Sequence, residues 1–293
     1  MTNSVNTNAG ALVALSSLRS NTGGLNRISK QVETGYRVAD ASDDAAVFAV
    51  AQGVRGNVKA YASVQSSLSA GIGLGEVTLA ALKGIDDLVA DLKSKIISLA
   101  DGSLTAQQQD VYRNDATAMI GQIKQYMEQA DYNGQNLLIN TTNPTNGATP
   151  LSFVADVNGT TLDYNIYTHL VADAEYNLAG GPHVWADNGN QMVHQLAEDP
   201  PDTVTALSQL ENFSSAVTSV SRDVSAQQRG MVQQKGFIDN LVDAMKAGLG
   251  ALVDADVAAE SAALESAKVA QQLSIQSLSI AGQRPTVLLR LLR

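Results

Sequence analysis

Residues 210–252 read LENFSSAVTSVSRDVSAQQRGMVQQKGFIDNLVDAMKAGLGAL, and within them Leu210, Val217, Val224, Met231, Ile238, Met245 and Leu252 recur every seven residues without a failure. Phe213, Val220 and Leu241 fill the alternate seam position, with Gln227 and Gln234 as polar interruptions. An apolar repeat of 3.5 residues keeps one stripe of a helix turned toward a partner helix, the pattern of coiled-coil packing. The stretch therefore predicts a long helix that needs a long partner.

The partner lies far upstream. From Val47, positions 47, 51, 54, 58, 61, 65, 68, 72, 75, 79, 82, 86, 89, 92 and 96 advance by fours and threes, and twelve of the fifteen are apolar. A helix of that length spans about 75 Å at ~1.5 Å per residue. Asp101-Gly102 ends it, and Thr105 with Gln108 forms the sequence pattern of a capping box for a third helix running to about Ala130. Weaker stripes mark both ends. Ala11, Leu18, Leu25 and Val32 share a heptad position with Leu15 on the alternate one, and Leu264, Ile275 and Leu278 follow a similar stripe, which Pro285 is expected to end. Short helices of this kind are marginal in water on their own. With little else in sequence to pack on, the ends are expected to be disordered in the monomer and to order when neighbouring copies cover them.

Between the helical arms the pattern changes. Asp131-Tyr132-Asn133-Gly134 is a turn signal, Asn158-Gly159 between residues 151–156 and 160–167 is a hairpin signal, and Pro200-Pro201 marks the return to helix. The fold class expected is mainly α: an elongated antiparallel coiled-coil-like bundle formed by both chain ends, with a small β-containing insert in the middle. Its segments are 1–44 and 253–293 as terminal inner helices, 45–138 and 203–252 as the bundle, and 139–202 as the insert.

Composition narrows the function. The 293 residues carry a net charge of −10, which disfavours broad nucleic-acid binding, and there is no cysteine for a disulfide or a thiolate metal site. No acid occurs before Glu33 or after Glu265, so the ends are purely basic; residues 33–265 keep twelve cations against 29 anions, or −17. The start lacks a cationic and apolar leader, and no stretch approaches eighteen apolar residues, so neither a cleaved signal peptide nor membrane insertion is expected. His169, His183 and His194 lack a zinc-ligand spacing and read as surface residues, Trp185 reads as an insert core anchor, and residues 187–190 lack the remaining ligands of a calcium loop. No metal, cofactor or catalytic residue is expected, and the chain is not expected to be an enzyme. Asp43 and Asp44 read as breakers or caps at a helix junction, with Arg37 as a candidate ion-pair partner.

Three motifs carry a family resemblance. Thr34-Gly35-Tyr36-Arg37-Val38-Ala39-Asp40-Ala41-Ser42-Asp43-Asp44-Ala45-Ala46 resembles the stretch that ends the first inner helix of bacterial flagellins, a Gly-x-Arg-hydrophobic segment followed by Ala-x-Asp-Asp-Ala-Ala. Tyr132-Asn133-Gly134-Gln135-Asn136-Leu137-Leu138 is similar to that family's Phe-Asn-Gly-x-x-Leu-Leu turn. Ile280-Ala281-Gly282-Gln283-Arg284-Pro285 and the leucines after it resemble its Ala-Asn-Gln-x-Pro ending. Tyr36, Ala39 and Gly282 depart from the usual residues. The resemblance, to the short alphaproteobacterial type, covers about residues 1–138 and 203–293. It implies an extracellular filament subunit that polymerises with itself, is held by an export chaperone, leaves through the flagellar secretion channel without a cleaved signal, and adds under a filament cap. It also implies O-linked sugars on the insert. The subunit contacts expected on this reading are Leu15, Leu18, Leu25, Arg37, Asp43, Asp44, Ile275, Leu278, Leu288 and Leu291. A hook-filament junction protein, or a surface protein whose activity sits in the insert, are the alternatives.

Overall fold

The computed structural model describes residues 8–139, 150–167, 192, 193, 195–197 and 201–291, with side chains through residue 283. The three histidines, Trp185 and residues 187–190 lie outside the described residues, as do the side chains of Leu288 and Leu291. The chain is built of α1 (Ala9–Thr34), α2 (Ala45–Leu99), α3 (Ala106–Gln129), β1 (Asp131–Tyr132), β2 (Gln135–Asn136), β3 (Leu151–Val154), β4 (Thr161–Tyr164), α4 (Thr203–Val253) and α5 (Val257–Leu291).

Helix starts follow from short polar side chains that take up otherwise unpaired amides. Asn8 accepts from the Ala11 amide, Asp44 from Ala46 and Val47, Asp202 from Thr205, and Asp256 from Ala258 and Ala259. Thr105 and Gln108 form the expected reciprocal capping box on α3. Gly35, at φ 70°, closes α1 in the left-handed conformation that suits glycine.

Residues 59–241 form one compact unit. In α2 the buried stripe is Val64, Leu68, Gly71, Gly75, Thr78, Leu82, Ile85, Val89, Leu92, Ile96 and Leu99, stepping strictly by four and three. The seam differs from the expected one at its alternate position: Gly71, Thr78 and Ile85 are buried where Ile72, Leu79 and Asp86 were expected. Residue size explains the exchange. Gly71 and Gly75 open notches that Met231, Phe153 and Tyr164 occupy, and Thr78 returns its hydroxyl to the Leu74 carbonyl at 2.9 Å. In α4 the expected heptad holds through Leu210, Phe213, Val217, Val220, Val224, Met231 and Ile238, all buried, with Ala206 extending it by one turn; beyond Ile238 the buried residues are Val242 and Val253 where Leu241 and Leu252 were expected. Ala116, Ile120, Ile123 and Met127 bring α3 to the same core. An 18-residue window of α2 reaches mean hydropathy 1.3, enough by length and composition to cross a membrane, contrary to the sequence expectation; 39% of that window is buried inside the protein.

Two hairpins complete the unit. β1 and β2 join through Asn133 (φ 56°) and Gly134 (φ 78°), a two-residue turn with both centres at positive φ, which favours these residues. β3 pairs antiparallel with β4, Leu151 opposite Tyr164 and Val154 opposite Thr161, and the Phe153 and Tyr164 rings meet edge to face at 6.0 Å.

The second compact unit holds residues 1–58 and 242–293. Here α1 packs antiparallel on α5, so the expectation that the ends have little of their own chain to pack on is corrected: they cover each other. The pairing was hidden in sequence because the facing residues are mostly Ala, Ser, Asn and Gln, with few large apolar groups. Pro285 does not end α5, which runs on to Leu291. The carbonyl that Pro285 cannot bond, four residues back on Ala281, is instead taken by the Asn8 side-chain amide at 2.7 Å.

Candidate assembly surface

The α1–α2 junction is a polar clip. Tyr36 bridges Asp254, the Ala255 amide donates to the Gly35 carbonyl at 2.9 Å, and the Arg37 amide donates to the Val253 carbonyl at 2.7 Å. The Arg37 guanidinium donates to the Leu252 carbonyl. Within the chain it does not pair with Asp43 or Asp44, the partners that sequence had suggested. Lys30 takes that role, bridging Asp40 and Asp43, because it stands just before the last turn of α1 and the chain folds back past it after Gly35. Asp43 also accepts from the Ala39 and Asp40 amides at 3.0 and 3.2 Å, and Asp40 accepts from both the amide and the hydroxyl of Ser42. Asp44 caps α2. Both aspartates therefore organise the junction, and their neighbour Asp40, overlooked in sequence, is the third member.

Charge follows this geometry. The Lys30 ammonium, then the Ser42 contacts, hold Asp40 well below the usual carboxylate range. Lys30, then the Asp40 amide, lower Asp43, and the two carboxylates raise Lys30. Beneath the clip, Val38, Ala51 and Val253 form a small apolar core with Val47, Phe48, Leu249 and Leu252 against it, and the Arg55 guanidinium lies 5.9 Å from the Tyr36 ring centre.

Along the terminal pair the two faces differ. Leu15, Leu18, Leu25 and Leu278 are half-buried on the stripe that faces the partner helix, where Asn21, Thr22, Gln271 and Ser274 interlock. The outward faces are more apolar than those stripes suggested: Leu12 is 59% exposed, Val13 68%, Leu273 58%, Ile275 52% and Ile280 66%. No residue of α1 is fully buried. A groove of about 620 Å³ runs between the helices past Val13, Ser17, Leu273 and Ile280. Among the described residues no cluster of His, Cys, Asp or Glu could hold a metal ion.

Residues 5–143 match the family model of the bacterial flagellin N-terminal helical region, and residues 205–292 that of the C-terminal helical region. The chain belongs to the flagellin family. It is 30% identical to flagellin FljK of Caulobacter vibrioides over 99% of each chain, and 30% identical to a flagellin of Brucella melitensis over 85% of each. It is 29% identical to flagellin FljM of Caulobacter vibrioides, again over 99% of each. In fold it resembles a putative flagellar hook-associated protein of Vibrio parahaemolyticus, with a TM-score of 0.61 at 14% identity over 72% of this chain and 99% of that one. This flagellin is of the alphaproteobacterial type, a structural subunit of the extracellular filament that serves bacterial motility, and it polymerises with copies of itself. Flagellins of matching length across the whole chain place it with filament subunits, while the hook-associated likeness concerns the fold alone.

Proposed function

We propose that copies of this flagellin meet in the filament through the outward apolar faces of α1 and α5, with Leu12, Val13, Leu273, Ile275 and Ile280 as the principal contacts. The observation that carries the reading is their exposure beside a helix pair that leaves α1 without one fully buried residue. Large exposed apolar side chains that cluster mark interaction surfaces, and Val13, Leu273 and Ile280 cluster along one groove. Of the residues expected from sequence, Ile275 stays in this set. Leu15, Leu18, Leu25 and Leu278 act one step back, by holding the pair together, and Arg37, Asp43 and Asp44 by shaping the junction. Leu288 and Leu291, also expected from sequence, lie beyond the described side chains. The terminal segments 1–44 and 253–293 form the inner part of the polymer, segments 45–138 and 203–252 its outer bundle, and segment 139–202 its variable surface.

On this reading the thin α1–α5 pair is completed by neighbours, so its order is coupled to assembly. Family membership supports export without a cleaved signal, an export chaperone that holds the C-terminal segment, and growth under a filament cap. Nothing in this scheme calls for catalysis. Adding short filament seeds to purified monomer should give micrometre-long polymers. Hydrogen exchange over residues 9–34 should slow strongly between dilute monomer and filament. Equal protection in both states would sink the coupling, and seeds that never elongate with intact chain would sink the assembly surface.

A further inference from the structure

We infer that two polar contacts, Asn21 with Ser274 and Asn8 with the Ala281 carbonyl, fix the register of α1 against α5 and thereby decide which outward apolar side chains stand together on the assembly face. This rests on the assembly reading above and adds a specificity determinant to it.

The apolar content of the pair specifies register only weakly. The half-buried positions include Ala11, Ala14, Thr22 and Gly24 on α1, facing Ala263, Ala267, Ala270 and Gln271 on α5. Slipping one helix by seven residues, about 10 Å at ~1.5 Å per residue, returns the heptad stripe of Ala11, Leu18 and Leu25 to equivalent positions and exchanges small residues for small residues between them, so apolar burial separates the alignments poorly. Polar groups are less forgiving. The Asn21 amide donates to the Ser274 hydroxyl at 2.6 Å, and that hydroxyl, on a residue only 8% exposed, donates to the Ala270 carbonyl at 2.8 Å. In a pair slipped by seven residues Ala267 or Ala281 takes the place of Ser274, and the Asn21 amide loses this partner. One asparagine in an apolar seam is known to select register at some expense of stability.

The second contact is unique for a covalent reason. Inside a helix a carbonyl is bonded by the amide four residues on, but residue 285 is proline and has no N–H, so the Ala281 carbonyl stands free of its usual donor. The Asn8 side chain donates to it at 2.7 Å while its oxygen caps α1 through the Ala11 amide at 3.0 Å. One side chain thus starts α1 and mends the gap in α5, and shifting the register separates the two.

The register determines function because this alignment sets Val13 beside Leu273 and Ile280 along one groove. The absence of native cysteine permits a direct test in the full-length chain. Ser17→Cys with Ser277→Cys reports the observed register, and Ser17→Cys with Ala270→Cys reports a heptad slip; all three positions line the groove, but Ala270 stands about 10 Å from Ser277 along α5 at ~1.5 Å per residue, so one alignment does not bring both within disulfide reach of Ser17. Disulfide formation is scored within single chains by gel mobility, in seeded filaments. In the otherwise unchanged chain the first pair should close and the second should not. Adding Asn21→Leu with Asn8→Ala should let both close to within about twofold, with filaments still formed but irregular in diameter or pitch. Exclusive closure of the first pair in that variant would overturn the register assignment. Closure of neither pair in the unchanged chain would also overturn it. Leu273→Asp should stop elongation and leave the crosslink preference intact, which separates failure of the assembly face from failure of the register.

Discussion

The hydroxyl of Tyr164 on β4 is seated over the α-carbon of Gly75 on α2, so closely that a β-carbon added at Gly75 would lie 2.3 Å from it. Gly71, one turn earlier, receives Met231 and Phe153 in the same way, and Gly73 receives the Tyr132 ring. Glycines that weaken α2 as an isolated helix are therefore the sockets by which the two hairpins are seated on it.

Gly75→Ala should accordingly destabilise the bundle although alanine is the better helix former. The propensity gain of roughly 1 kcal/mol opposes an overpacking cost of about 1–3 kcal/mol, and Tyr164, fully buried, has little room to yield. Gly53→Ala and Gly56→Ala meet nothing within 4 Å and should stabilise by up to about 1 kcal/mol. Urea titrations followed by circular dichroism would compare the three. A stabilised Gly75→Ala would show that the hairpin does not need the socket.

Tyr164 also sets the alkaline limit. Burial, then the Glu76 charge, pushes its phenol up to about 12. An acid whose folded pKa is raised contributes stability that is complete below its ordinary value near 10 and is lost as pH rises from there through 12. Its hydroxyl accepts or donates no hydrogen bond among the described residues. Tyr164→Phe should therefore leave neutral stability equal or slightly higher and flatten the decline between pH 10 and 12. An unchanged alkaline slope would place the sensitive group elsewhere, with Tyr167, also raised by burial, next to test.

Acid sensitivity runs the other way at the junction. Asp40 and Asp43 are both lowered from 3.8, mainly by Lys30. A depressed carboxylate contributes above its unfolded value and loses that contribution as pH falls below about 3.8. Raised Lys30 contributes below 10.5 and is lost above it, so the cluster is at full strength across neutral pH. Asp40→Asn with Asp43→Asn should shrink the fall in melting temperature between pH 6 and pH 3. Asp101, Asp202 and Asp239, also lowered, should sustain the rest of the fall. A fall as large as in the unchanged chain would mean that the clip does not sense acid.

These residues also show what sequence could and could not reveal. The capping box at Thr105 and Gln108, the Asn133-Gly134 turn and the Leu210 to Ile238 heptads were legible because each depends on neighbours within one helical turn or one repeat. The alternate seam of α2 was not, since Gly71 and Thr78 look unsuited to a core until the distant Phe153, Met231 and Tyr164 supply the missing volume. Lys30 with Asp40 and Asp43 escaped because the pairing depends on how the chain turns after Gly35. Pro285 misled for a related reason: its broken hydrogen bond is repaired by Asn8, 277 positions away in the chain.

Charge placed at four apolar positions should separate folding from assembly. Val217 and Ile238 are 0% and 1% exposed, so Val217→Asp or Ile238→Asp buries an unpaired carboxylate, costs several kcal/mol, and should unfold residues 59–241 in the monomer. Ile275 is 52% exposed, so Ile275→Asp meets water in the monomer, should keep helicity within a few per cent, and should block elongation once a neighbour must cover it. Leu278 is half-buried against α1, and Leu278→Asp should stand between them, loosening the terminal pair while sparing the bundle. Circular dichroism on monomers and seeded elongation on the same samples provide both readouts. The ordering fails if Ile275→Asp elongates normally, because an apolar face that accepts a charge in the polymer is not where the copies touch.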